Sequence, residues 1–173
     1  MWAFVLFETL IFTGYFSVYL LQRTGAPQAF LDAQAQLDPR IGVFNTIVLL
    51  LSSWSVARCV QSARAGAYGS AHRDALLTVL FGVVFAVSKV SEWIGQLGRG
   101  NGIAGNEFFT FYYFLTGIHF LHLLIGFVVL AIVGYQIRGP ARRSQNLIET
   151  GATYWHTVDF LWVLIFALLY VVR

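Results

Sequence analysis

Glu8, Lys89, Glu92, His119, His122, His156 and Asp159 all lie inside stretches that are otherwise apolar. Three kinds of chemistry are open to such a set. Imidazole suits iron, copper and zinc, so His119-x-x-His122 with His156 could hold a haem or a transition metal. Carboxylates and imidazoles at membrane depth can also carry protons, or can neutralise one another as interhelical contacts. The densest stretch is Tyr154-Trp155-His156-Thr157-Val158-Asp159-Phe160-Leu161-Trp162, where a histidine and a carboxylate stand three residues apart. An aspartate at the bilayer centre costs about 2.5–3.5 kcal/mol even on the gentler insertion scales, so this pair is expected to have partners.

Spacing narrows the pairings. Lys89 and Glu92 sit at i,i+3, close enough to neutralise each other on one helix face. The same offsets put Thr116, His119, His122 and Gly126 on a shared face, and His156 with Asp159 on another. Glu8 has no ionisable partner on its own helix and is either protonated or bonded across to another one. The paired Glu-x-x-His repeat of di-iron bundles is absent. Trp2, Trp54, Trp93, Trp155 and Trp162 suit belt or packing roles, and Gly14, Gly82, Gly117 and Gly126 would let helices approach closely.

The surrounding elements are membrane spans. Hydrophobic residues make up 58% of the chain and charged ones 11%, with a mean hydropathy of +0.70, a balance no soluble domain sustains. Residues 2–21, 41–60, 75–97, 107–137 and 153–172 are each long enough to cross a core of about 30 Å at about 1.5 Å per residue. Barrel strands are excluded, because these runs do not alternate every second residue. The first window has Glu8 within it, lacks a basic leader and a small-residue cleavage site, and is expected to be a mature helix rather than a signal peptide. Between the first two spans, Phe30, Ala33, Gln34 and Leu37 recur at helical spacing, which predicts a short interfacial helix lying flat. Gly98-Arg99-Gly100-Asn101-Gly102 lacks the strand and the Lys-Ser/Thr pair of a phosphate loop and reads as a turn. Arg58, Arg64, Arg73, Arg138, Arg142 and Arg143 fall on one side, against Arg23, Arg40, Arg99 and Arg173 on the other. That bias predicts N-inside and C-outside. The expected fold is therefore all-α, a polytopic bundle of five transmembrane helices in one domain over residues 1–173. Cys59 is the only cysteine, and nothing in the chain resembles a nucleic-acid-binding motif.

In order along the chain stand Phe7-Glu8-x-Leu10-x-Phe12, Phe44-Asn45-Thr46 with a leucine run, and Ser91-Glu92-Trp93. They are followed by Thr116-Gly117-Ile118-His119-Phe120-Leu121-His122 and Tyr154-Trp155-His156-x-Val158-Asp159-x-x-Trp162. Together these stretches resemble the cytochrome c oxidase subunit III family of haem-copper oxidase complexes. Larger members have seven helices, and this chain resembles the last five.

The resemblance implies a non-catalytic membrane subunit in a bacterial cytoplasmic membrane. Such a subunit would pack against the catalytic subunit I, with subunit II a further neighbour, hold phospholipid in a cleft and support proton uptake by its partner. No cofactor is expected on this chain, and haem and copper would reside in the partners. Glu8 matches the family's carbodiimide-reactive carboxylate. Lys89, Glu92, His119, His122, His156 and Asp159 would form a buried polar framework. Lys89 departs from the oxidase pattern, and the run Phe111–His119 is closer to a subfamily associated with nitric oxide reductase, which stands as an alternative. Two further readings are a chain that binds haem or metal itself through His119, His122 and His156, and a small proton-coupled transporter. The transporter reading lacks the inverted repeats and broken helices common in that class.

Overall fold

Apolar segments in lipid must satisfy their own backbone, and this chain does so with helices throughout. The computed structural model describes residues 2–103, 105–139 and 144–172, so Arg142, Arg143 and Arg173 of the orientation argument lie outside the described residues, as does the side chain of Trp2. The elements are α1 (Trp2–Gly25), α2 (Pro27–Gln34), α3 (Pro39–Arg64), α4 (Tyr68–Gly98), α5 (Glu107–Arg138) and α6 (Gln145–Phe166). A π-helical turn (Ala167–Val171) closes the chain. Five helices are long and apolar enough to cross a membrane, and no strand occurs among the described residues. The outer faces present Leu10, Leu50, Leu80, Val87, Leu121 and Val128. Such a continuous apolar exterior suits lipid contact.

Caps place the ends. Asp38 accepts from the Arg40 amide at 2.9 Å and Pro39 opens α3, while Asn106 accepts from the Phe108 amide at 2.9 Å to start α5. Gly66 and Gly100 follow α3 and α4 with φ of 74° and 84°. There Ala67 N bonds Ser62 O and Asn101 N bonds Gln96 O, the backbone pattern of a Schellman stop. The glycine-rich third link is thus a helix terminator. α4 and α6 begin several residues before their apolar windows, because polar first turns do not register as hydrophobic. Glu149 in the early turns of α6 receives Arg64 at 2.8 Å.

One end of the bundle gathers Arg23, Arg40, Arg99 and the C-terminal turn, with Arg23 and Gln34 both donating to the Val172 carbonyl at 2.7 and 2.9 Å. The other gathers Arg58, Arg64, Arg73 and Arg138, where Arg138 donates to His72 at 2.9 Å. The short helix α2 forms where its spacing predicts, with Phe30, Ala33 and Gln34 on its buried face. Phe30 is 1% exposed and packs edge-on to Tyr19 and Phe108, so α2 plugs the bundle end between α1 and α5.

Close packing centres on Trp155 of α6. A Cβ at Gly82 of α4 would lie 2.7 Å from Phe127 and 3.0 Å from Trp155, and one at Gly126 of α5 would lie 2.8 Å from Trp155. These glycines form a slot for the indole. Gly14 and Gly117 have open space where a Cβ would go, so they serve no close approach within this chain. Gly126→Ala is accordingly expected to cost about 1–3 kcal/mol by overpacking, whereas Gly14→Ala should be neutral or gain up to about 1 kcal/mol of helix propensity. Thermal unfolding in detergent checks the contrast.

Candidate functional site

The ionisable residues fall into separate units. On α4, Lys89 is the sole lysine of the sequence and is 0% exposed. Its Nζ donates to Glu92 Oε2 at 2.9 Å, as the i,i+3 spacing predicts, and also to the hydroxyls of Tyr112 at 3.1 Å and Tyr170 at 2.8 Å. Tyr170 in turn donates to Glu92 Oε1 at 2.6 Å. All three ammonium protons are thereby used, and the cation lies 4.5 Å from the Tyr112 ring centre and 5.2 Å from that of Trp162. The two tyrosines were not singled out from sequence. The available signal was arithmetic: one carboxylate cannot take up three donors, and Tyr112 and Tyr170 carry hydroxyls on runs that must pack nearby.

Glu8 finds its partner on another helix. His122 Nε2 lies 3.2 Å from Glu8 Oε2, and its Nδ1 stands 2.9 Å from the Ile118 carbonyl. A carbonyl only accepts, so the Nδ1 proton is fixed and Nε2 is left to face the carboxyl. Tyr154 donates to the His122 carbonyl at 3.2 Å, and Phe12 meets the imidazole edge-on.

His119 and His122 are neighbours on α5, as their spacing predicts, but meet different helices, His122 facing α1 and His119 an aromatic wall of Phe85 and Trp162 at 5.7 and 5.2 Å. His119 is 1% exposed and neither ring nitrogen is hydrogen-bonded among the described residues. His156 sits 2.6 Å from the Ser53 hydroxyl of α3. Asp159 is 4% exposed, and its polar neighbour is the Ser53 hydroxyl, which also stands 2.6 Å from His156, so that neither carboxylate oxygen has a well-formed hydrogen bond among the described residues. Nor do any three His, Cys, Asp or Glu side chains gather as a metal site there, so the triad His119, His122 and His156 is dispersed.

Three tryptophans are internal rather than interfacial. Trp155 donates to Ser52 at 3.0 Å, Trp162 to Thr46 at 3.1 Å and Trp93 to Thr116 at 3.2 Å. Trp54 is 57% exposed, with Arg58 over its ring.

Five apolar helices around internally matched polar groups define a multi-pass helical membrane protein. The chain belongs to the cytochrome c oxidase subunit III family, whose sequence model matches residues 1–172. It is thus a subunit of a respiratory haem-copper oxidase. Cytochrome c oxidase subunit 3 of Thermostichus vulcanus is 28% identical over 98% of this chain and 84% of its own length. The probable cytochrome c oxidase subunit 3 of Mycobacterium tuberculosis is 28% identical over 96% of this chain and 83% of its own. A haem-copper oxidase subunit I+III of Aeropyrum pernix is 28% identical over 99% of this chain and 22% of its own. These names give the nitric oxide reductase alternative no support.

Proposed function

We propose that this chain is the non-catalytic subunit III of its oxidase, packed against the catalytic subunit I in a bacterial cytoplasmic membrane, N-terminus inside, with the electron chemistry in the other chains. The observation that carries the reading is the dispersal of its histidines. His122 is committed to Glu8, His156 to Ser53, and His119 is walled in by aromatic rings. The Aeropyrum relative, whose name joins subunits I and III in one chain, supports subunit I as the neighbour.

The Glu8–His122 pair supports a part in proton supply to that neighbour, since a carboxyl and an imidazole nitrogen 3.2 Å apart can share one proton. Lipid holding is supported by a groove of about 360 Å³ between α4 and α5. Its apolar walls include Leu76, Val79 and Leu130, and His72 and Arg138 stand at the polar end. Purification of the tagged chain in gentle detergent is expected to bring down a haem-bearing partner. Recovery of a lone, monodisperse chain, or of iron or copper bound to it, would overturn the proposal.

A further inference from the structure

A cleft of about 330 Å³ runs between the first turn of α3 and the last turns of α4. Beside Ile41 and Gly95 it is lined by Asp38, Ser88, Ser91, Glu92, Gln96 and Arg99, a larger polar share than the groove between α4 and α5 has. Of these residues Glu92 is the one bonded to Lys89. Behind Glu92 the structure closes. Lys89 is 0% exposed and is sealed by Tyr112, Tyr170 and Trp162, with His119 on the far side of that indole.

Depth is the deciding quantity. Glu92 stands six residues before the end of α4 at Gly98, about 9 Å along the axis at about 1.5 Å per residue. α4 has 31 residues, about 46 Å of helix, some 16 Å more than a hydrocarbon core of about 30 Å requires. The cleft therefore starts at headgroup level, between Asp38 and Arg99, and reaches the buried pair without crossing the bilayer centre. An acyl chain would leave the hydroxyls, amide and charges of this lining without partners, whereas water satisfies them, and the volume admits several molecules at about 30 Å³ each.

We infer that this cleft is a water-filled vestibule through which the Lys89–Glu92–Tyr112–Tyr170 cluster exchanges protons with one membrane face, the face bearing Arg99, and with that face alone. The exchangeable protons are those of the Lys89 ammonium and the Tyr170 hydroxyl, both bonded to the Glu92 carboxylate that meets the water. The charged groups at the mouth are Asp38 of α3 and Arg99 beyond α4. This site is separate from the Glu8–His122 pair and does not depend on the role proposed for it.

Two measurements on the full chain test the inference. Because Cys59 is the only cysteine, single cysteines can be placed in a Cys59→Ser background and the complex sealed in vesicles. A membrane-impermeant cationic methanethiosulfonate is expected to modify Ser88→Cys and Ser91→Cys from the Arg99 side only. Val90→Cys, between them in depth and turned to an exposed apolar face, should stay unmodified. Inert Ser88→Cys and Ser91→Cys, the result for a cleft filled by lipid or by a partner side chain, would overturn it, as would modification from the opposite side.

The sole lysine supplies the second measurement. With ¹⁵N at the lysine Nζ, the chain in vesicles gives one ammonium resonance, that of Lys89, whose hydrogen exchange with water can be followed directly. Exchange is expected in the unmodified chain and is lost in Ser91→Trp, where an exposed residue is enlarged to plug the cleft. Exchange unchanged by the plug, or absent from the start, would refute the vestibule.

Discussion

Lys89→Met is expected to destabilise the folded chain by about 3–5 kcal/mol, the usual cost of removing one partner from a buried ion pair. The substitution keeps the length of the side chain, so packing is little changed and the effect isolates charge. Glu92 would lose the cation it is bonded to and keep the Tyr170 hydroxyl, and Tyr112 would lose its polar partner at the ammonium. Against a total stability of about 5–15 kcal/mol, that loss is a large fraction.

The second substitution sorts the causes. Adding Glu92→Gln to Lys89→Met removes the stranded charge, and the new amide can still accept from Tyr170 and donate to Tyr112. Most of the lost stability should return in the double variant, a coupling that a double-mutant cycle measures directly. Unfolding in detergent, followed by helicity, provides the readout. A double variant as unstable as Lys89→Met alone would show that the stranded Glu92 charge is not the source of the loss.

Trp155→Ala is expected to cost about 3 kcal/mol, the lower end of the range for deleting a large aromatic from a core. The lower end applies because spans that separate in a bilayer remain in apolar surroundings, so expelling water contributes little. What remains is the cavity. The indole fills a slot whose floor is set by Gly82 and Gly126, and glycines offer no side chain that could collapse into the space. Ser52 also loses the donor at 3.0 Å but keeps its own bond to the Thr78 carbonyl. Trp155→Phe, which refills most of the slot and loses only the hydrogen bond, should cost about 1 kcal/mol. Equal losses for the two substitutions in the same unfolding assay would sink the cavity explanation.

Several features of the site were legible from residues alone. The i,i+3 spacing of Lys89 and Glu92 gave their pairing, because one helix carries both. That the glycine-rich third link is a turn and not a phosphate loop followed from its lack of any strand or Lys-Ser/Thr context. Glu8 was left needing a bond to another helix if it was not protonated, and His122 lies within reach of it. Other features were not legible. Offsets of three and four put His119 and His122 on one face, and the spacing could not say that one would meet α1 and the other the rings of α4 and α6. The spacing of Phe30, Ala33 and Gln34 gave α2 and its apolar face, but could not say that this face would pack on Tyr19 and Phe108. Asp159 was assigned a partner on the general cost of burying an acid, and what stands beside it is a hydroxyl, Ser53, that it shares with His156.

What this sequence determined by itself is that the chain crosses a membrane as helices and where those helices run. Twenty-residue apolar stretches have no other way to satisfy their backbone in lipid, and capping residues act over a single turn. What only the tertiary structure decided is which polar group meets which. That choice depends on how each helix is rotated about its axis and how near its neighbour comes, and both are set by side-chain packing at contacts such as Trp155 against Gly82 and Gly126. The π-helical turn that carries the Tyr170 hydroxyl to Glu92 belongs to the same category, since its wider winding brings together residues far apart in the chain.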